Sequence, residues 1–370
     1  MGSRMRRPTA TLLAMALVLL ASAPAAALTG ADRAGIGPTG FPEPTGDRRI
    51  LPPGARLTRL FDGGCTLTEG PAAAPDGTIY FTDIEFSAQC RDEDGSPGGG
   101  VIWRYDPGTG ETTVFRSPSG QANGLDFDAD GNLLAAEGAD FGGRRVTRTD
   151  LDTGRAVVVA GLFQGRPFNS PNDITIDERG RVYFSDPRYN GLEPLEQAVQ
   201  GVYRTDPDGS IERIIANAGK PNGVLVSPDQ QTLYVAVNDQ GVEDEQRLTD
   251  RELNRIVNVE QALYAYDLRP DGTVGARRRL VDYLPEAGPD GLEADVDGNL
   301  YVAVRDETAP GVYVYSPTGQ ELARIPTGSE LPTNVGFGRG EDADLLYVTS
   351  GKSLYSIRLN KDGYQLPADG

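Results

Sequence analysis

Six side chains stand at equivalent places in a repeated pattern, and each offers an oxygen. Counting eight residues back from the second residue of a recurring Asp-Gly-type turn leads from Gly77 to Glu69, from Gly131 to Asn123 and from Gly180 to Asn172. The same count leads from Gln230 to Asn222 and from Gly298 to Asp290; in a sixth copy Asn334 lies eight before Asp342. A single Asn beside a turn need only tie its own backbone, but six equivalent oxygen-bearing positions read as a ring around one site. Two carboxylates among amides can balance a divalent cation. Hard oxygen donors without imidazole or thiolate favour calcium, with magnesium, manganese and zinc as the other candidates. The chain has no histidine at all. That excludes a Ser-His-Asp triad, a Cys-His pair and the histidine-rich zinc hydrolase sites.

The elements that must position this ring are short strands. Asp76-Gly-Thr-Ile-Tyr-Phe-Thr-Asp83 recurs as Asp130 to Glu137, Arg179 to Asp186, Asp229 to Val237, Asp297 to Val304 and Asp342 to Thr349, six copies in all. A second string follows each first one, an aromatic or β-branched strand closed by a polar turn, as in Trp103-Arg-Tyr-Asp-Pro-Gly-Thr-Gly110 and Tyr313-Val-Tyr-Ser-Pro-Thr-Gly319. Tight turns between such strands are hairpin chemistry. Each unit therefore supplies about four antiparallel strands, which is one propeller blade. The predicted fold is all-β, a six-bladed β-propeller. Its sixth blade runs out of chain, and Arg56 to Asp62 matches the missing outer strand, so an N-terminal strand closes the ring and removes the exposed edges. The ring residues lie where the innermost strands begin, beside the central channel. The links from second to third strands emerge at that end and are long: Ile84 to Gly100, Gly138 to Gly143, Pro187 to Gln200 and Asp239 to Glu260. Long loops over a polar channel mouth build a pocket. The acidic insert from Gly241 to Glu260 is read as carrying a short helix.

The ends and the charge set the context. Arg4, Arg6 and Arg7 precede an apolar run from Leu12 to Ala21 and Ala-x-Ala candidates up to Ala27. That order is a secretory signal peptide over residues 1–27, so a secreted or extracytoplasmic protein without a membrane anchor is expected. Residues 28–53, rich in Gly, Pro and charge, read as a flexible leader; the propeller spans 54–363 and a C-terminal tail 364–370. The net charge of −19 becomes about −22 once three arginines leave with residues 1–27. Such a surface repels nucleic acid and anionic membrane, and neither is an expected partner. Cys65 and Cys90 suit one disulfide in an exported protein, pinning a loop at the channel mouth.

With these strings in place, the chain resembles the gluconolactonase and senescence marker protein (regucalcin) family over roughly Leu57 to Leu359. The matching segments are Glu69-Gly-Pro71, Ser170-Pro-Asn-Asp173, Tyr183-Phe-Ser-Asp-Pro187, Pro221-Asn-Gly223 and Pro289-Asp-Gly291. The resemblance implies metal ligation by Glu69, Asn172, Asn222 and Asp290, and hydrolysis of a small-molecule sugar lactone. Asp290 is then ligand and general base together, while Asn123, Asn334 and Asp186 are the candidate substrate contacts. The stretch Glu137 to Arg145 lacks the histidine many relatives carry, and Ser170 stands where regucalcin-type members place an arginine. Both departures touch the pocket wall and bear on substrate choice. A non-enzymatic ligand-binding propeller with a structural calcium ion is the alternative; aromatics exposed on the loops, with Tyr189, Phe86 and Phe141 as candidates, would favour it.

Overall fold

Tight turns separating β-branched and aromatic runs divide the chain into hairpins, and the hairpins associate in fours. The computed structural model describes residues 40–84, 100–189, 191, 193–239 and 260–366. Blade 1 runs outward from Leu67–Ala73 through Ile79–Ile84 and Val101–Asp106 to Glu111–Arg116. The innermost strands of the next five blades are Ala122–Phe127, Ile174–Ile176, Pro221–Val226, Pro289–Ala294 and Pro332–Phe337. Each inner strand packs on those of the two neighbouring blades around a central axis. The molecule is a six-bladed β-propeller.

Closure follows the predicted route. Thr58–Phe61 pairs antiparallel with Ser353–Arg358, Thr58 opposite Ser356, and so forms the outer strand of blade 6. The leader differs from expectation over its last part. Thr45–Gly46 adds a fifth strand to the edge of blade 5, pairing with Glu321–Pro326. Ile50 and Leu51 are buried in the cluster between blades 5 and 6. Those two side chains were hidden by the surrounding polar composition; their burial is what anchors the segment, at roughly 1.5–3 kcal/mol for each fully buried aliphatic side chain.

Six apolar clusters hold the ring, one at each interface between neighbouring blades. Because both faces of a blade pack on a neighbour, middle strands lose the apolar–polar alternation of a half-exposed sheet. Leu300–Val304 is buried at every residue. The outer strand Val274–Asp282, with three consecutive arginines, is largely exposed. At the end of the channel away from the ring residues, the last described segment crosses the blades. The Tyr364 N–H donates to the Ala294 carbonyl (2.9 Å), its hydroxyl donates to Glu178 Oε1 (3.0 Å), and Gln365 Nε2 donates to the Phe337 carbonyl (3.3 Å).

Candidate metal centre

The ring residues reach the channel because the inner strands are irregular there. The ladder to the second strand slips between Glu69 and Ala72, between Ala122 and Leu125, between Pro221 and Val224, and between Pro289 and Leu292. An extra residue in one strand bends it and re-aims a side chain. Glu69, Asn123, Asn222 and Asp290 all sit at these slips. A glycine follows each of them, and the packing requires it at two positions in particular. A Cβ on Gly124 would lie 2.5 Å from Asp173 Oδ1, and one on Gly223 would lie 2.5 Å from the Asp290 carbonyl. In blade 3 the geometry is reached differently. Asn172 and Asp173 precede the short strand, with the Asn172 N–H donating to the Ser185 carbonyl (3.0 Å) and the Ser185 N–H to the Asp173 carbonyl (3.0 Å).

Five of the six ring residues, Glu69, Asn123, Asn172, Asn222 and Asp290, line one cavity of about 320 Å³. All five are at least nine-tenths buried. The loops join them as the sequence implied: Ala139 and Asp140 come from the blade 2 loop, and Tyr189 from the blade 3 loop. The blade 2 loop is strained. Asp140 and Phe141 have φ of 63° and 66°, in the left-handed region that bulky residues avoid. The Glu193 carboxylate holds them by accepting from both backbone N–H groups (3.1 and 2.8 Å).

Electrostatically the cavity calls for a cation. Burial, then the charges of Asp290 and Asp173, push the Glu69 carboxyl well above its usual range. Burial pushes Asp290 up to about 6, opposed by the Arg305 guanidinium and a hydrogen bond from Asn222. Two buried carboxyls facing one space resist ionising together unless positive charge sits between them. Asn172 Oδ1 is buried without a hydrogen-bond partner, and an orphaned buried acceptor is costly. Among the described residues no three His, Cys, Asp or Glu side chains are grouped so that they could hold a metal ion by themselves. A cation here therefore draws on two carboxylates and on amide oxygens. That donor set suits a hard divalent ion.

Two expected substrate contacts lie elsewhere. Asn334 turns away from this cavity: its Oδ1 accepts from the next residue's N–H, Val335 (2.8 Å), and its amide bonds Asp173. It lines a separate small cavity deeper in the channel with Asp126 and Glu293. Asp186 is fully buried behind the site. Its carboxylate accepts from the backbone N–H groups of Asn169 (2.9 Å) and Ser170 (2.6 Å), and so fixes the segment leading into Asn172. Asp83 plays the same part in blade 1, accepting from Thr66 and Leu67 (3.0 and 3.1 Å). An Asp closing the second strand caps the segment before the inner strand and does not face the substrate space. Tyr189 is likewise no exposed aromatic: its hydroxyl donates to the Asn238 carbonyl (3.0 Å) and its ring forms cavity wall. Phe141 is 77% exposed. Cys90, Phe86 and the insert over 241–259 fall outside the described residues, as do residues 1–39.

Arg305 was not anticipated. It follows the second strand of blade 5, and its Nη1 lies 3.2 Å from Asp290 Oδ2. The available signal was a basic residue immediately after the Leu-Tyr-Val-Ala-Val304 run, at the strand end that meets the ring.

The sequence and the fold are similar to those of known proteins. Residues 67–352 match the family model described as the SMP-30/gluconolactonase/LRE-like region. A gluconolactonase of Zymomonas mobilis is 29% identical over 325 residues, covering 80% of this chain and 79% of that protein. A pentonolactonase of Haloferax volcanii is 31% identical over 302 residues, covering 80% of this chain and 84% of the other. The solved structure of a gluconolactonase from Xanthomonas campestris superposes with a TM-score of 0.69 at 28% identity, over 87% of this chain and 96% of that one. With its six blades, its matched span and these relatives, the chain belongs to the SMP-30/gluconolactonase/LRE-like family.

Proposed function

We propose that this protein is a metal-dependent lactone hydrolase that opens sugar lactones outside the cytoplasm. The observation that carries the reading is the meeting of Glu69, Asn172, Asn222 and Asp290 in one buried cavity, with the Asn172 oxygen unpartnered. The lactonase relatives support the reaction class. These four residues would hold a divalent cation, calcium by the hardness of their donors. When bound, such an ion supplies polarisation of a lactone carbonyl and a lowered pKa for water.

The chain's own groups do the rest. Asp290, on the wall of the cavity, would accept a proton from the attacking water. Water adds to the carbonyl carbon, the ring C–O bond breaks, the ring oxygen takes a proton, and the product is an open hydroxy acid. Tyr189 stays protonated, because burial pushes its hydroxyl well above the usual range, and it walls the cavity from solvent. Residues 1–27 support export, and in an oxidising compartment Cys65 and Cys90 would form the disulfide that pins the blade 1 loop.

Proton release from a panel of aldonolactones tests this directly. Metal-stripped protein should show only spontaneous ring opening. Restored calcium should raise the rate at least about 100-fold, with Asp290→Ala abolishing the gain. No rate above the spontaneous one with calcium, magnesium or manganese would remove the hydrolase reading and leave a ligand-binding propeller.

A further inference from the structure

Among the described residues that line the catalytic cavity, Arg305 is the only lysine or arginine, against three acids, Glu69, Asp140 and Asp290. Its side chain is 17% exposed. Only Nη1 is engaged, by Asp290 Oδ2 at 3.2 Å and by the Pro332 carbonyl at 3.5 Å. Nε and Nη2 have no hydrogen-bond partner among the described residues. A guanidinium carries five donors in a planar fork, and the Arg305 donors that Asp290 and Pro332 leave unengaged are not among the buried unpaired atoms of the described residues, so they stay accessible to a ligand. Arg305 also forms wall of a second cavity, of about 500 Å³, where it is the only lysine or arginine among the described lining residues, beside the acids Asp239, Glu286 and Glu307. The same side chain thus stands at the junction of the reacting space and a further space.

We propose that Arg305 is a specificity-determining residue that receives an anionic substituent, a carboxylate or a phosphate, carried by the lactone in addition to its reacting carbonyl. The inference rests on the lactonase reading and narrows its substrate class to lactones of sugar acids bearing a second acidic group. The chemistry is that of the fork: parallel N–H groups match the paired oxygens of a carboxylate or phosphate, which an ammonium or a neutral amide cannot reproduce. Without Arg305, the acids of the wall would repel such a substrate.

The test compares kcat/KM on matched lactones in calcium-loaded protein: neutral glucono-lactone, carboxylate-bearing glucaro-lactone and 6-phosphogluconolactone. Wild type should favour one or both anionic lactones, and which one tells carboxylate from phosphate. In Arg305→Met the anionic-to-neutral ratio should fall on the order of 10- to 100-fold, chiefly through KM, with Arg305→Lys restoring part of it. An equal loss on all three lactones would make Arg305 a positioning residue for Asp290 alone and overturn the proposal. So would a wild-type ratio that favours the neutral lactone. Calorimetric binding of glucarate against gluconate separates this inference from the hydrolase reading. Should no lactone be hydrolysed, tighter glucarate binding that Arg305→Met removes still supports the arginine's role; equal binding of the two acids rejects it.

Discussion

Glu69 shows how the electrostatics of one residue can be tested apart from catalysis. Its carboxyl is held in the protonated direction by burial and by the neighbouring charges of Asp290 and Asp173. Removing its charge should relieve the metal-free protein and injure the metal-bound one. Glu69→Gln is therefore expected to melt at or above the wild-type temperature after chelation, and to lose most of the upward shift that calcium gives the wild type. Thermal unfolding with and without calcium reads both. A variant that melts lower in both conditions would mean that Glu69 is a structural residue. Much of this was legible in the sequence, since the spacing from each turn located the ring position in every blade. What spacing could not reveal is direction. Asn334 occupies the equivalent place yet bends onto its own backbone, and Arg305 approaches from a strand end outside the counted pattern.

Strands and loops carry the next level of control. The slips in four inner strands aim side chains into the channel, and buried aspartates fix the segments before the inner strands of blades 1 and 3. Asp186 is the clearest case, with Arg188 bonding the Asn169 carbonyl from the other side through Nε and Nη2 (3.1 and 2.6 Å). Asp186→Ala leaves two backbone N–H groups unsatisfied, each worth on the order of 1–3 kcal/mol. Urea unfolding should register that loss, and calcium affinity should weaken with it because Asn172 follows directly in the chain. Full calcium affinity at reduced stability would show that the segment keeps its shape without the cap. From sequence alone, Asp186 and Asp290 both read as acids near a strand end. Only the three-dimensional path of the chain separates a carboxylate that caps backbone from one that faces the cavity. Strand number, the turn pattern and ring closure were readable because they depend on local periodicity; the added strand at Thr45–Gly46 was not, because two residues carry no period.

At the scale of the whole molecule, the channel holds buried carboxyls in each of its two halves. Below the cavity, burial pushes Asp126 up to about 7 and Glu293 up to about 8, with Arg339 nearby opposing both shifts. A carboxyl whose folded pKa is raised binds more protons folded than unfolded, so stability falls as pH rises from its unfolded value, near 4, to its folded one. The metal-free protein should therefore gain stability on going from pH 8 to pH 5, with most of the change between 4 and 8. Asp47, held near 2 by Arg49, works in the opposite sense, but only below about pH 4. Urea midpoints across this range check the slope, and Asp126→Asn should lessen it without removing it, since Glu293, Asp173 and Asp186 are raised in the same direction; a midpoint that climbs steadily from pH 5 to 8 would contradict the assignment. These two halves also define the most direct test of the central claim, that the oxygen ring is the cation site. A crystal structure of the protein grown with calcium should show one ion in the upper cavity, about 2.3–2.6 Å from oxygens of Glu69, Asn172, Asn222 and Asp290. An upper cavity without the ion, or an ion found only beside Asp126 and Glu293, would contradict it.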